Sequence, residues 1–289
     1  MRRVDAHHHV WDLAVRAQGW MTSDAYAPIA RTFGIDDFTT AAATARVDAS
    51  VVVQTVSDRA ETIELLHLAA HHRVVAAVVG WVDLCAADVR DQLDECLGAE
   101  GGAFLRGIRH QVHDEPDPQW VCGRDVQRGI AAVGAAGLVY ELLIKPQHLE
   151  AALLTVSALP EVRFVIDHAA KPSVATGELE PWLSGLRALA RRPNTVCKLS
   201  GLLHEADWQH WTANDIDPYA EAVIEAFGVE RVMVGSDWPV CLLAAPYAAA
   251  LTVYDDALPA LGAHDRHALH ATTAMAVYSI PDRPEASVT

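Results

Sequence analysis

The 289-residue chain is 51% hydrophobic and carries 38 acidic against 22 basic residues, a formal charge of −16. A balance this acidic, with no local basic patch, argues against nucleic acid or an anionic membrane as a partner. Cys85, Cys96, Cys122, Cys197 and Cys241 form no C-x-x-C pair, which argues against a disulfide scaffold or a cysteine zinc site and fits a reducing cytoplasm.

The first three residues lead straight into a polar strand and not into an apolar segment, so no targeting signal is expected. Residues 4–11, VDAHHHVW, read as that strand. Residues two apart in a strand share a face, which puts Asp5, His7 and His9 on one side and Ala6, His8 and Val10 on the other. An H-x-H at a strand end presents two imidazoles to one point, as a zinc-like ion requires. A chance histidine run is the bland alternative, and a tag remnant is at odds with three histidines embedded between Asp5 and Trp11. A polar loop over 18–35 leads to a helix over 36–46. Strands then follow at 50–56, 74–82, 104–111, 138–145, 163–168, 195–200 and 231–236. Between them come helices over 61–72 and 87–97, one ending near 136, and others over 149–158, 179–191 and 218–227; helices fill most of 245–278. The longest apolar window, 130–144, is broken by Gly134, Gly137 and Glu141, which excludes a membrane span. Residues 281–289 read as a frayed tail, leaving 1–280 as a single domain.

Eight short apolar strands alternating with helices predict a single (β/α)8 TIM barrel of the α/β class. The rival, a doubly wound open sheet, lacks a glycine-rich phosphate loop after any early strand. In a barrel the chemistry belongs at the C-terminal strand ends. The polar residues there are His7, His9, Gln54, Asp83, Arg109, His110, Lys145, Asp167, His168, Lys198, Ser200 and Asp237. So many charged groups at strand ends are costly unless they face a site, though a structural ion-pair ring is the other reading.

The segments VDAHHHVW, GWVDL, RGIRHQVHDEPDP, ELLIKPQHL, FVIDHAAKP, VCKLSGLLHEADW and VGSDWPVC resemble the barrel hydrolases of the amidohydrolase superfamily. Within it they are most similar to the L-fuconolactonase and L-rhamnonolactonase-like branch, which opens sugar lactones. The resemblance covers about residues 4–247. It implies metal ligands at His7, His9, His168 and Asp237, with Asp237 also the base that takes a proton from water. The implied cofactor is a divalent metal, zinc first, and the resemblance includes relatives that work without one. The chain departs from the pattern on strand five, where Glu141 and Lys145 stand in place of a histidine and His148 lies beyond the strand. It departs again at Ala170, where glycine is usual, and at Thr273, where an asparagine usually opens the last helix; threonine can still cap.

A lactone is an ester, so its hydrolysis needs an activated water, a stabilised oxyanion and a proton for the departing alcohol. Asp237 is expected to activate the water and His168 to orient it or shuttle the proton. A metal on His7 and His9, or else Arg109 and Lys145, holds the oxyanion. Gln54, Asp83, His110, Lys145 and Lys198 suit the hydroxyls and carboxylate of a sugar acid, and Trp11 suits its ring face. No G-x-S-x-G elbow or nucleophilic cysteine motif points to covalent acyl transfer. The expected function is a cytoplasmic hydrolase whose partner is a small-molecule sugar lactone. A lactone isomerase and a non-catalytic barrel that binds a sugar acid or a partner protein are the alternatives.

Overall fold

Eight short, largely buried runs form eight parallel strands: β1 (Val4–His8), β2 (Ala49–Val53), β3 (Val75–Gly80), β4 (Leu105–His110), β5 (Val139–Leu142), β6 (Phe164–Ile166), β7 (Thr195–Leu199) and β8 (Val232–Val234). Each pairs with its sequence neighbour in the order β1 to β8. The ring closes where His8 bridges to Trp238, with the Asp237 N–H donating to the His7 carbonyl at 2.8 Å and the His9 N–H to the Trp238 carbonyl at 2.6 Å. This computed structural model, which describes residues 2–282, is the expected (β/α)8 barrel; most of the predicted tail, residues 283–289, lies outside the described residues.

The outer layer is α1 (Ile35–Thr44), α2 (Arg59–His71), α3 (Val89–Gly98), α4 (Arg124–Ala135), α5 (Leu149–Ala158), α6 (Trp182–Ala190), α7 (Ala213–Phe227) and α8 (Tyr247–Ala257), followed by the short α9 (Ala263–His267) and α10 (Thr273–Val277). Alternation along each strand divides the core. Val51, Val53, Val79, Val139, Val165, Val196 and Met233 fill the barrel with Tyr278, while Val52, Val78, Ile108, Phe164 and Val232 pack outward against the helices. Among the described residues no helix is long and apolar enough to cross a membrane.

Two local expectations change. Helix α7 starts at Ala213, not at Pro218, because Thr212 and Asp215 cap it: the Asp215 carboxylate accepts from the Thr212 N–H at 2.7 Å and from its hydroxyl at 2.9 Å. That T-x-x-D spacing is a helix start signal, and the proline behind it is accommodated in the second turn.

The second change is in β1. Asp5 lies opposite Ser50 and His8 opposite Val52, so β1 advances one residue more than its partner. A bulge of this kind flips the faces beyond it. Asp5 therefore does not share a face with His7 and His9. It points outward, accepting from the Ser236 N–H at 2.9 Å, the Ser236 hydroxyl at 2.6 Å and the Tyr247 hydroxyl at 3.0 Å. Burial raises its carboxyl pKa to about 6 despite these donors. His8 also faces outward, its ring stacked 3.6 Å from that of Phe38.

The closure depends on a glycine. A Cβ at Gly235 would lie 2.7 Å from the His7 Cβ and 2.8 Å from the His7 backbone nitrogen. Gly235→Ala should therefore force β8 away from β1 and cost about 1–3 kcal/mol of stability, as overpacking does. Urea unfolding measures this, and an unchanged midpoint would show that the seam has slack.

Candidate active site

At the C-terminal ends of the strands the loops enclose a cavity of about 330 Å³, lined among others by His9, Arg109, Lys145, His168, Lys171, His204 and Asp237. Its centre is Asp237, on the turn after β8 and buried. His9 Nε2 lies 3.0 Å from Oδ1 and His7 Nε2 3.6 Å from the same oxygen. On Oδ2, His204 Nε2 lies at 3.2 Å and His168 Nε2 at 3.8 Å. Four imidazoles thus converge on one carboxylate. Burial alone would raise its pKa, but His168, His9, His204 and His7 together hold it well below the usual carboxylate value. Burial pushes His168 and His204 the other way, below the ordinary imidazole value, although Asp237 acts to raise both.

The backbone that presents these groups is strained. Asp237 has φ 56°, and residues His168, Ala169, Ala170 and Lys171 all lie in the left-handed region, with φ 51°, 49°, 61° and 51°. Non-glycine residues pay roughly 1–2 kcal/mol each there, so the surrounding contacts must over-determine the turn. The His168 Nδ1 to Ser200 Oγ contact at 2.8 Å and the Trp182 indole N–H donating to the Ala169 carbonyl at 2.6 Å are two of them.

Beneath the cavity floor lies a second, buried layer of charge, and Arg109 joins it to the cavity wall. Lys198 Nζ is 2.6 Å from Glu141 Oε2, 3.2 Å from Asp167 Oδ1 and 3.1 Å from His7 Nδ1. Arg109 Nη1 reaches Asp167 Oδ2 at 3.2 Å and His7 Nε2 at 3.3 Å. Glu141 also accepts from the Tyr278 hydroxyl. Burial, with Asp167 adding, raises the Glu141 pKa to about 7. Burial also acts to raise Asp167, but Lys198, His7 and Arg109 outweigh it and hold Asp167 well below its usual value. Burial and the neighbouring Lys198 lower His7 to about 3.

The expected residues divide between wall and support. His9, Arg109, Lys145, His168 and Asp237 reach the cavity. The others expected on substrate do not. Lys198 is fully buried in the ion cluster, and Gln54 is buried with its amide N–H on the Arg109 carbonyl at 3.3 Å. His110 stacks on Trp120 at 4.2 Å and bonds Glu115 at 2.7 Å. Asp83 is exposed, accepting from the Cys85 N–H at 2.9 Å. Trp11 spends its indole N–H on the Arg31 carbonyl at 2.7 Å and packs behind Trp20. Trp20, Tyr26 and Trp208 form the aromatic wall instead, with His113, Gln111 and the ion-paired Lys171 and Glu205 around it. Sequence reasoning missed His204 and Lys171 as site residues, although they stand in GLLHEADW and DHAAKP beside residues it had singled out.

The donors around Asp237 are of the kind a divalent metal takes. His9 Nδ1 lies 2.7 Å from the Val53 carbonyl, which places the proton of a neutral ring there and leaves the Nε2 lone pair facing inward. That lone pair meets Asp237 Oδ1 at 3.0 Å and His7 Nε2 at 3.2 Å. Acceptors so close need a cation or a proton among them. His7, His168 and Asp237 also offer ligand atoms within 4.8 Å of one another, and nitrogen with carboxylate oxygen suits zinc and its neighbours. The residues fit a divalent ion. Opposing it are Arg109 and Lys198, whose cationic nitrogens touch His7 on both ring nitrogens.

The chain is similar to known proteins over nearly its whole length. A family model described as amidohydrolase matches residues 4–280. An L-fucono-1,5-lactonase of Burkholderia ambifaria is 41% identical over 244 residues, 84% of this chain and 82% of that one. The L-fucono-1,5-lactonase of Burkholderia multivorans is 36% identical over 295 residues, covering 98% of each. Among solved structures, an amidohydrolase from Burkholderia multivorans with bound zinc shares 35% identity and a TM-score of 0.89, covering 97% of this chain and 100% of that one.

The buried ion cluster is open to a direct test. Lys198→Met should leave Glu141 and Asp167 short of a cation and cost about 3–5 kcal/mol, and adding Glu141→Gln should recover part of the loss. Denaturant unfolding of both variants checks this; a single variant as stable as the parent would show that the cluster is not held by its charge balance.

Proposed function

This chain belongs to the amidohydrolase family, and from that membership we propose that it hydrolyses a sugar-derived lactone, of the L-fuconolactone or L-rhamnonolactone kind, to the sugar acid. The observation that carries this reading is Asp237, buried at the head of a polar cavity with His9 Nε2 at 3.0 Å and His204 Nε2 at 3.2 Å from its two carboxylate oxygens. Residues 4–280 act as one catalytic domain. All five cysteines are free, which agrees with work in the cytoplasm.

In this mechanism Asp237 takes a proton from a water at Oδ2 as that water attacks the lactone carbonyl. Arg109 and Lys145 bring positive charge to the developing oxyanion. As the carbonyl reforms, the ring C–O bond breaks and the proton moves to the departing alkoxide. His204 and His168, both beside Oδ2, are placed to carry it. Trp20, Tyr26 and Trp208 offer flat apolar surface to the sugar ring, the role expected of Trp11. Gln54 acts one step back, by fixing Arg109. A divalent ion held by His7, His9, Asp237 and His168 would polarise the carbonyl as a Lewis acid. Zinc is the ion this donor set prefers. With Arg109 and Lys198 against His7, its binding is weak and readily reversed.

Asp237→Asn keeps the shape and removes the base, so kcat on an aldonolactone should fall by about two to four orders of magnitude. The base works only when ionised, so activity is lost only as pH falls through the lowered pKa of Asp237. The parent's kcat/KM should thus stay level from about pH 6.5 to 8, above the ordinary imidazole value from which His168 and His204 are lowered. A pH-indicator assay of acid release reads both; near-parental turnover in Asp237→Asn, or a steep rise near neutrality, would assign the proton to another group.

Exhaustive chelation should lower turnover by less than about tenfold, because Arg109 and Lys145 remain to stabilise the oxyanion. Elemental analysis before and after, with the rate, checks this. A stoichiometric metal whose removal abolishes activity and whose return restores it would overturn the expectation.

A further inference from the structure

We infer that His67, His71 and Glu100 form a second divalent transition-metal site on the outer face of the barrel. His67 and His71 are four residues apart on α2, so they lie on one face of the helix. Their ring centroids are 4.4 Å apart. His71 Nδ1 lies 2.8 Å from the His67 carbonyl. The proton of a neutral ring therefore sits on Nδ1, and Nε2 presents its lone pair outward. That Nε2 is 3.6 Å from Glu100 Oε1, and His67 Nδ1 is 2.8 Å from Glu100 Oε2. One nitrogen from each ring and one carboxylate oxygen lie within 4.8 Å of one another.

Glu100 does not reach this position by side-chain reach alone. It sits in the turn between α3 and β4, and the next residue, Gly101, has φ 77°. A Cβ at Gly101 would lie 2.0 Å from the Leu66 carbonyl oxygen of α2. The turn is thus laid against the helix that carries both histidines, and its backbone delivers the carboxylate over them. A simple surface ion pair needs one imidazole. Here two imidazoles converge on both oxygens of one carboxylate, an arrangement that a shared dication satisfies and two imidazolium charges would oppose.

Two imidazoles and a carboxylate suit Zn²⁺, Ni²⁺ or Cu²⁺, not Mg²⁺ or Ca²⁺, which prefer all-oxygen shells. The side chains are 63%, 52% and 62% exposed, so the remaining coordination positions are open to water and the ion exchanges with solvent. None of the three residues belongs to the Asp237 cluster. Bound there, the ion clips α2 to the α3–β4 turn and adds its binding free energy to the folded state.

Zinc titration of the full chain, followed by calorimetry and by thermal unfolding, tests the site. The parent should bind one more zinc per chain than His67→Ala/His71→Ala, and the zinc-dependent rise in Tm should shrink in that variant while lactone turnover stays at the parental rate. Glu100→Gln, which keeps both imidazoles, should weaken this zinc site by about tenfold or more through the lost carboxylate ligand. Equal zinc stoichiometry in parent and double variant, or unchanged affinity in Glu100→Gln, would overturn the three-ligand site.

Discussion

The constraint on which the rest of this structure depends is charge balance in the buried layer under the cavity. Lys198 and Arg109 are set against Glu141 and Asp167, all buried, with His7 wedged among them. Ions removed from water are tolerated only when paired and hydrogen-bonded, so each member dictates where the others stand. His7 is the point of contact between this layer and the imidazoles around Asp237. Its Nδ1 meets Lys198 and its Nε2 meets Arg109, and the same Nε2 faces Asp237. The cations that keep the floor neutral are therefore also the groups that compete with a metal. A strand-five histidine would alter that balance; Glu141 in its place supplies the carboxylate that pairs with Lys198.

Above that floor, the residues around the cavity stand on a strained backbone held by a rigid scaffold. The left-handed run 168–171 and the left-handed Asp237 turn the reactive groups back over the barrel mouth. The chain tolerates this because the strands beneath are pinned by continuous pairing and because Gly235 lets β8 approach His7 closely. Ala170 pays a steric penalty that a glycine at that position would not, and its complete burial shows the methyl group in contact on all sides. The cavity wall divides by chemistry. Aromatic rings come from the loop after β1 and the loop after β7, while cations come from strand ends and the turn after β6.

Much of this was legible in the sequence because it is local. Short apolar runs set between helical patterns identify strands buried on both faces, and all eight were found within a few residues of their observed ends. The H-x-H pair and the aspartate of G-S-D-W-P stand at strand ends by register alone, so His7, His9 and Asp237 were recoverable. The start of α7 was also written there, in Thr212 and Asp215, behind the more conspicuous Pro218.

Which way each strand-end group looks was fixed only when the barrel closed. One extra residue in β1 moved Asp5 to the outer face, and a bulge leaves no mark in the pattern of a strand where every residue is buried. Lys198, Gln54 and Trp11 were expected on the substrate, yet they are buried behind the cavity wall, where they support Glu141, Arg109 and Trp20. His204 reaches Asp237 from a 3₁₀ turn beyond β7, where no strand register predicts direction. A period of two fixes the face of one strand from its own residues. Whether a charge on that face meets open space or an opposite charge is set by seven other strands, and that depends on the closure of the barrel.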